Sequence, residues 1–408
     1  MIWPNLRHLR LFCEAVRLGS LSDAAGVINV SQPAASQAIG RLEDALGARL
    51  LVRSDAGVEP TAEGELARLR ARRALDLLGA ATLPAGRRGR HQLPVGLTTT
   101  HVRAISAYAE GGSFTAAAAL LGTSEPAVQR AARGFETLLG EPLFEGRGRL
   151  MRLSPRGVSV ARAARLALNE IENARVEILG LHDRVEGTVR IGTLPLVRTT
   201  VVPEVIARLT RDYPNARFSI AEGRYEDLMA DLEMGRIDIL IGAMRKRFDT
   251  RLFAQERLFD YRLSVVARSG HPLAGRREVD FAELAAYPWI TAREGSPARR
   301  TFREASLAGP EGLALRGRVE TGSLVAARGI LLRSDHLALL SSHQIRYELE
   351  TGLLVRLAYD LGDPGKSVGA TTRRRWLPTS LHEAFIATLR EVVRGEMIDQ
   401  CQGVSTEV

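Results

Sequence analysis

The chain has 408 residues, which is too many for a single hydrophobic core, so we expect two to three domains. Hydrophobic residues make up 45% and charged residues 25%, as in ordinary globular proteins, and no apolar run approaches the ~18 residues of a membrane span. The net charge of +9 is carried almost wholly by arginine, and it is compatible with a polyanionic partner.

The first residues, MIWPNLRHLR, lack the apolar stretch of a signal peptide, and we therefore expect a cytoplasmic protein that does not bind membranes. No histidine or cysteine stands at metal-ligand spacing near Cys13 or Cys401, so we expect inert thiols, no metal and no cofactor. The sequence has no nucleophile elbow, P-loop, HExxH or CxxC motif, which argues against an enzyme.

The N-terminal part of the sequence predicts two helices. Apolar side chains at helical spacing predict a helix over 6–17, and Gly19 ends it. Either Ser20 or Ser22 then caps a short second helix that reaches about residue 28.

A third helix follows a turn at 29–30, and its N-terminal residues have the side chains that read DNA. Ser31 caps this helix, and Pro33 falls in its first turn, where a missing N–H costs nothing. A helix of this size fits the major groove with its N-terminal residues at the base edges, where glutamine pairs with adenine. The residues predicted to contact DNA here are Ser31, Gln32, Pro33, Ser36, Gln37 and Arg41.

A wing follows the third helix. Residues 54–57 predict a turn and Thr61 caps a new helix, so that Arg49 and Arg53 would lie near the backbone phosphates. The string AA…SQPAAS…I..LE..LG..L..R…..PT..G resembles the winged helix-turn-helix of the LysR-type transcriptional regulators. We therefore assign residues 1–82 to a winged helix-turn-helix; the alternative is a three-helix core with a purely structural role.

The same module occurs twice. Residues 20–47 align without gaps on residues 113–140, and 10 of the 28 positions are identical, whereas unrelated segments would share about two. The offset of 93 residues predicts a second winged helix-turn-helix over 97–153. Prolines, glycines and arginines predict a flexible basic linker between the copies, over 83–96.

The second copy has different side chains at its groove-facing positions. Glu125, Gln129 and Arg130 replace two glutamines and a serine of the first copy, and Arg147 lies in the second wing. A carboxylate suits a helix N-terminus but repels a phosphate there. Three roles stay open for this copy: DNA binding, reading of a different sequence, or a scaffold. We expect the first copy to be the main reader, with contacts from Gln129, Arg130 and Arg147 in the second.

A long helix is predicted over 154–183. Ala164, Ile171 and Ile178 recur every seven residues, with Ala161 and Leu168 between them, and such a seam suits pairing with the same helix of another subunit. The resemblance implies the same role, so we expect a homodimer or homotetramer, with the first copy as an N-terminal addition. The alternative is that this helix packs on its own domain.

Residues 187–395 alternate short apolar runs with helical stretches, which predicts a mostly parallel sheet covered by helices. The predicted strands are 188–192, 218–221, 237–242, 263–267, 289–291 and 336–340, and the helices are 203–212, 225–235, 297–306 and 323–333. Segments such as VRIGTLPLVRTTVVPEVIARL, IDILIGA and YPWITAREGS resemble the same family, which implies a two-lobed, periplasmic-binding-protein-like effector domain of the α/β class. Residues 396–408 are assigned to a tail.

Strand ends followed by helix N-termini suit a small carboxylate, because they present free backbone N–H groups. The residues predicted to bind an effector are Thr193, Leu194, Leu196, Gly242, Thr291 and Ser296. The leucines after the first strand indicate a more apolar ligand. Helix capping is the alternative role of Thr193, Thr291 and Ser296.

The sequence therefore predicts a sequence-specific, effector-responsive transcriptional regulator of LysR type. The late stretches SDHLALLSSHQIRYELETGLLVRL and VGATTRRRWLPT most resemble those of regulators of sugar or aromatic-acid catabolism. Its expected partners are double-stranded DNA, a small-molecule effector, RNA polymerase and further copies of itself. An effector-independent architectural DNA protein is the alternative, and a cytosolic solute-binding protein is a weaker one.

Overall fold

The computed structural model describes residues 3–54, 57–82, 93–94, 96–146, 148–182, 185–245, 247–362 and 365–403. Most of the predicted basic linker over 83–96 lies outside these residues. No helix in the described part of the chain is both long and apolar enough to cross a membrane.

The first module forms as the sequence predicts. Its elements are α1 (Leu6–Leu18), α2 (Leu21–Ile28), α3 (Gln32–Leu46), β1 (Leu51–Ser54), β2 (Gly57–Pro60) and α4 (Ala62–Thr82). Ser20 caps α2 by accepting a hydrogen bond from the backbone N–H of Asp23. Asn29 makes the turn to α3 at a φ of 56°, which asparagine tolerates better than most residues. β1 and β2 pair antiparallel as the wing.

The second module repeats the first in detail. It comprises α5 (Thr99–Gly111), α6 (Phe114–Leu121), α7 (Glu125–Leu139), β3 (Phe144–Glu145), β4 (Arg152–Leu153) and α8 (Pro155–Gly180), and each helix begins 93 residues after its counterpart. Glu43 accepts a hydrogen bond from the N–H of Leu50 at 2.8 Å, and Glu136 accepts one from Leu143 at 2.7 Å. An equivalent glutamate thus fixes the backbone at the start of each wing.

The two modules share one hydrophobic core, and α4 packs along α8 inside it. The seam of α8 that was predicted to pair with another subunit is covered within this chain. Its residues are all buried: Ala161, Ala164, Leu168, Ile171 and Ile178. For this face the structure matches the alternative, because α8 packs on α4 and α5 of its own chain.

A buried arginine joins α4 to α8 and to the C-terminal half. The side chain of Arg70 is fully buried and forms ion pairs with Glu170 at 2.9 Å and Glu177 at 2.7 Å. It also donates to the backbone carbonyls of Leu377 at 2.8 Å and Pro378 at 2.9 Å. Burial alone would lower the pKa of Arg70, but Glu177 and Glu170 outweigh it and raise the pKa. The first module is thus anchored to the rest of the chain and is not a loosely attached addition.

The remaining elements form two lobes. In chain order they are β5 (Gly187–Thr193), α9 (Val201–Asp212), β6 (Ala216–Glu222), α10 (Tyr225–Met234), β7 (Ile239–Ala243), β8 (Phe253–Tyr261), β9 (Leu263–Arg268), α11 (Phe281–Ala286), β10 (Pro288–Thr291), α12 (Pro297–Leu307), β11 (Arg316–Glu320), α13 (Leu324–Leu331), β12 (Leu337–Ser341), α14 (Arg346–Glu350), β13 (Leu354–Arg356), β14 (Lys366–Arg373) and α15 (Ser380–Gly403). Lobe 1 contains the sheet β6-β5-β7-β14-β8, and lobe 2 contains the sheet β11-β10-β12-β9-β13.

Both sheets are mixed, so the prediction of one mostly parallel sheet needs correction. β5 pairs parallel with β6 and β7, but β14 runs antiparallel to β7 and β8; in lobe 2, β9 runs antiparallel to β12 and β13. α15 continues through Gly403, into the segment assigned to a tail. The prediction of two lobes within residues 187–395 agrees with the structure.

Asp238 ties three elements of lobe 1 together and gives the fold a pH dependence. It accepts a hydrogen bond from the N–H of Arg190, and it lies 3.7 Å from Arg373 and 3.4 Å from His382. Burial alone would raise the pKa of Asp238, but His382, Arg373 and Arg190 outweigh it and hold the pKa below its usual range.

We expect Asp238→Asn to destabilise lobe 1 at neutral pH and to flatten its acid unfolding. A carboxyl whose pKa is depressed by folding stabilises the fold above its ordinary pKa of about 3.9, and this contribution is lost as the pH falls through the folded-state value. The difference in urea midpoint between wild type and variant should be constant from pH 6 to about pH 4 and narrow below it. A difference that widens in acid would contradict this role of Asp238.

Candidate functional site

The N-terminal half of α3 is an exposed, mostly uncharged surface. Its residues Ser31, Gln32, Pro33, Ser36 and Gln37 are all exposed, and Arg41 is exposed one turn further on. The opposite face of the helix is buried through Ala35, Ile39 and Leu42. The cap at Ser31 accepts a hydrogen bond from the N–H of Ala34, as predicted. All the DNA-contacting residues predicted on α3 are thus free to meet a partner.

Positive charge is concentrated beside this surface. Arg7 donates to the carbonyls of Ile28 and Asn29 at 3.2 Å, and so holds its guanidinium at the α2–α3 turn. Burial, followed by the charges of Arg41 and Arg7, lowers the pKa of His8 below its usual value. His8 is therefore neutral at pH 7, and the local charge comes from the two arginines.

The corresponding surface of α7 carries charge of both signs. Glu125, Gln129 and Arg130 are all exposed. Glu125 accepts a hydrogen bond from the hydroxyl of Thr115 on α6 at 2.8 Å, which orients the carboxylate at the start of α7. Ser124 occupies the N-cap position of α7 but, unlike Ser31 in the first module, makes no side-chain capping hydrogen bond.

The first wing is held by a close backbone approach to the end of α1. The N–H of Val58 donates to the carbonyl of Gly19 at 2.9 Å, and a Cβ on Gly57 would lie 2.2 Å from that oxygen. Arg49 is exposed at the entry to the first wing. Arg147 and the side chain of Arg53 lie outside the described residues, so their predicted phosphate contacts stay predictions.

The cleft between the lobes lies at the carboxyl ends of the parallel strands, where ligands bind in open α/β sheets. Thr199, in the loop after β5, donates to the carbonyl of His343 in lobe 2 at 2.9 Å. Arg245, just after β7, reaches the carbonyl of Gly295 in lobe 2 at 3.5 Å. The loops after β5 and β7 therefore face those after β10 and β12.

Two buried hydroxyls at this edge lack a hydrogen-bond partner, and one guanidinium lacks an ion-pair partner, among the described residues. The Tyr225 hydroxyl and the Thr200 hydroxyl are buried, and neither has a hydrogen-bond partner among the described residues. The guanidinium of Arg245 lies 4.8 Å above the Tyr225 ring, and no described carboxylate forms an ion pair with it. Burial lowers the pKa of Arg245, but a guanidinium stays charged at neutral pH. This edge thus offers one unpaired cation and two free hydroxyls.

The residues predicted to bind an effector are mostly engaged in the protein itself. Thr193 accepts a hydrogen bond from Arg198 at 3.2 Å, Thr291 donates to the carbonyl of Val319 at 3.1 Å, and Ser296 caps α12 through the N–H of Arg299. For Ser296 the structure matches the capping alternative.

The two predicted leucines point into hydrophobic cores. Leu194 belongs to the core beneath α10, and its side chain would lie 2.4 Å from a Cβ on Gly242. Leu196 belongs to the main core of lobe 1. This burial removes the basis for expecting an apolar ligand. Sequence reasoning missed Thr200, Tyr225 and Arg245, although the basic run that follows IDILIGA marks the end of a buried strand.

The thiol of Cys13 is protected. Burial raises its pKa to about 12, so the reactive thiolate is scarce at neutral pH. Among the described residues, no group of three or more His, Cys, Asp or Glu side chains could hold a metal ion.

Two winged helix-turn-helix modules joined to a two-lobed ligand-binding fold define a DNA-binding regulator. The family model described as "Bacterial regulatory helix-turn-helix protein, lysR family" matches twice, at residues 6–65 and 99–158, and "LysR substrate binding domain" matches residues 182–394. The chain therefore belongs to the LysR family of transcriptional regulators, and its duplicated helix-turn-helix is confirmed.

Similar proteins extend over most of the chain. It is 30% identical to the HTH-type transcriptional regulator GalR of Pseudomonas putida, over 96% of this chain and 98% of that protein. It is 27% identical to the HTH-type transcriptional regulator PcaQ of Agrobacterium fabrum, over 73% and 96% of the two chains. A full-length OxyR variant from Pseudomonas aeruginosa has the same fold, with a TM-score of 0.55 at 21% identity, over 73% and 95% of the two chains.

Proposed function

We propose that this regulator binds a small anionic effector between its lobes and, in response, changes how its winged modules hold promoter DNA and so the access of RNA polymerase. It acts in the cytoplasm, as a homodimer or homotetramer. Because the seam of α8 is occupied by α4, such an oligomer forms through other surfaces of the chain.

The observation that carries the effector proposal is Arg245, which has no carboxylate partner among the described residues and donates only a long hydrogen bond, of 3.5 Å, to the carbonyl of Gly295. A half-buried guanidinium without a carboxylate is costly unless a ligand supplies the acceptor, and a ligand carboxylate accepts from it through a charge-assisted hydrogen bond. The hydroxyls of Tyr225 and Thr200, which have no partner among the described residues, are further donors. We therefore propose a small carboxylate, and an aromatic or sugar acid fits the resemblance of the sequence to regulators of sugar or aromatic-acid catabolism.

We expect Arg245→Gln to weaken effector binding by roughly 10- to 100-fold, since hydrogen bonds to charged groups contribute about 1.5–3 kcal/mol. Thermal-shift titrations should use a panel of aromatic and sugar acids, each with its neutral amide. The matched control is Arg251→Gln, because Arg251 is an exposed arginine of the same lobe that pairs with Asp249. Equal binding of acid and amide, or an equal loss in the control, would contradict the assignment.

The DNA-binding role of α3 predicts that Gln32→Ala and Ser36→Ala each weaken specific binding by about 1–3 kcal/mol per lost base contact. Gln129→Ala and Arg130→Ala test α7 in the same way. Fluorescence anisotropy on the protein's own promoter measures the affinities, and Asp44→Ala, an exposed change near the far end of α3, is the control. If only the α7 pair mattered, the first module would not be the main reader.

A further inference from the structure

The two winged modules meet through equivalent faces. Along α4 and α8 the same positions of the repeat are buried on both helices. These pairs are Ala67 with Val160, Ala71 with Ala164, Ala74 with Ala167, Leu75 with Leu168, and Leu78 with Ile171. A contact between equivalent faces is the mark of a two-fold arrangement, as in a symmetric dimer, but both halves here belong to one chain.

The modules also touch at the starts of their first helices. The hydroxyl of Thr99 donates to the carbonyl of Pro4 at 2.7 Å, and the guanidinium of Arg103 lies 5.8 Å above the ring of Trp3. Together with the shared core, these contacts hold the two modules as one body. The spacing between α3 and α7 is therefore set by the fold of a single chain.

The polar contacts across this interface are not two-fold. Arg70 on α4 corresponds to Ala163 on α8, and the arginine's partners Glu170 and Glu177 correspond to Leu77 and Pro84. If α4 paired with α4 of another chain, Arg70 would be buried without a carboxylate, which is strongly unfavourable. The ion pairs thus favour α4 on α8 within a chain over a symmetric pairing between chains.

We propose that one chain is a complete two-headed DNA reader for an asymmetric operator, in which α3 and α7 read two different half-sites at a fixed spacing on one face of the duplex. This inference rests on the proposed DNA binding, and it adds which helix reads which half-site. A chain with two unequal heads has its preferred site in a non-palindromic sequence.

The chemistry of the exposed side chains assigns the half-sites. α3 presents two glutamines, Gln32 and Gln37, whose amides pair with adenine, and one arginine, Arg41, further along, so its half-site is weighted towards A·T pairs. α7 presents Arg130, which pairs with guanine, and Glu125, which accepts from the amino group of cytosine. With only one glutamine, Gln129, its half-site is weighted towards G·C pairs. Because the carboxylate of Glu125 repels phosphate, it contributes more to discrimination between base sequences than to the affinity for DNA.

Selection of random 50-bp duplexes by the full-length protein tests this assignment. We expect two unlike half-sites at one spacing, one rich in A·T and one rich in G·C. The double variant Gln32→Ala/Gln37→Ala should lose footprint protection and sequence preference in the first half-site only, and Glu125→Ala/Arg130→Ala in the second only. Inserting 5 bp between the half-sites should weaken binding at least 10-fold, because half a helical turn moves them to opposite faces.

Stoichiometry separates this proposal from binding by symmetric pairs. Sedimentation with labelled duplex should give two half-sites per chain, whatever oligomer forms. Two like half-sites under one chain, one half-site per chain, or loss of both half-sites in each double variant would overturn the two-headed reader. Failure of the wild-type protein to select any sequence at 50 mM salt would instead remove the proposed DNA binding itself. Circular dichroism melts confirm that each variant is folded.

Discussion

Replacing Arg70 by methionine is expected to destabilise the paired winged modules by about 3–5 kcal/mol, which is the usual cost of removing one partner from a buried ion pair. The variant leaves Glu177 without its arginine, leaves Glu170 with Arg73 alone, and frees the carbonyls of Leu377 and Pro378. Methionine fills much of the same volume, so the loss reports the charges more than the packing. Urea unfolding followed by circular dichroism measures the loss of stability. Hydrogen exchange should locate the change in α4 and α8.

Two comparisons isolate the cause. Arg72→Met removes an exposed arginine of α4 that pairs with Asp76, and a surface pair of this kind contributes about 0–1 kcal/mol. Adding Glu170→Gln and Glu177→Gln to the Arg70 variant should recover part of the loss, because no unpaired buried charge is left. If the triple variant is less stable than Arg70→Met alone, unpaired carboxylates are not the reason.

The second large effect is expected at two equivalent glycines. A Cβ on Gly64 would lie 2.0 Å from the carbonyl oxygen of Leu50, and a Cβ on Gly157 would lie 2.0 Å from that of Leu143. Both oxygens belong to the backbone and cannot rotate away, so each wing must shift. We expect Gly64→Ala and Gly157→Ala each to cost about 2–3 kcal/mol, although alanine favours helices more than glycine does.

Gly26→Ala is the matched control. This helical glycine has nothing within 4 Å of an added Cβ, so the change should be neutral or stabilise by up to ~1 kcal/mol. Thermal unfolding and promoter binding should be measured for all three variants. A stable, fully active Gly157→Ala protein would show that the second wing can move without cost, and that its close approach to α8 is not required.

The repeat made the N-terminal half predictable from sequence. Gly19, Ser20, Ser31 and Thr61 have local roles as helix ends and caps, and such roles depend on a few neighbouring residues. The seam of α8 was also visible as a pattern. The surface that covers this seam could not be predicted. A heptad seam indicates which residues must be buried, but both the same chain and another chain can cover them.

In the C-terminal half, most of the predicted strands are buried and central, but the exposed edge strand β6 was also predicted and the central strand β14 was missed. β8 and β11 carry many exposed residues and β13 has only three, so none of them gives a continuous apolar run. The cleft was harder still to predict. Leu194 and Arg245 lie after neighbouring strands. Only the fold shows that the leucine turns into a core while the arginine has no ion-pair partner in the described part of the chain.

The fusion of both reading helices into one polypeptide has a consequence for how such a protein changes over generations. In a homodimer with one reading helix per chain, every codon change in that helix alters both DNA-binding modules at once, so both halves of the target site must adapt together. Here a change in α3 leaves α7 as it was. One half of a promoter site can therefore drift or be reassigned while the other keeps the regulator in place.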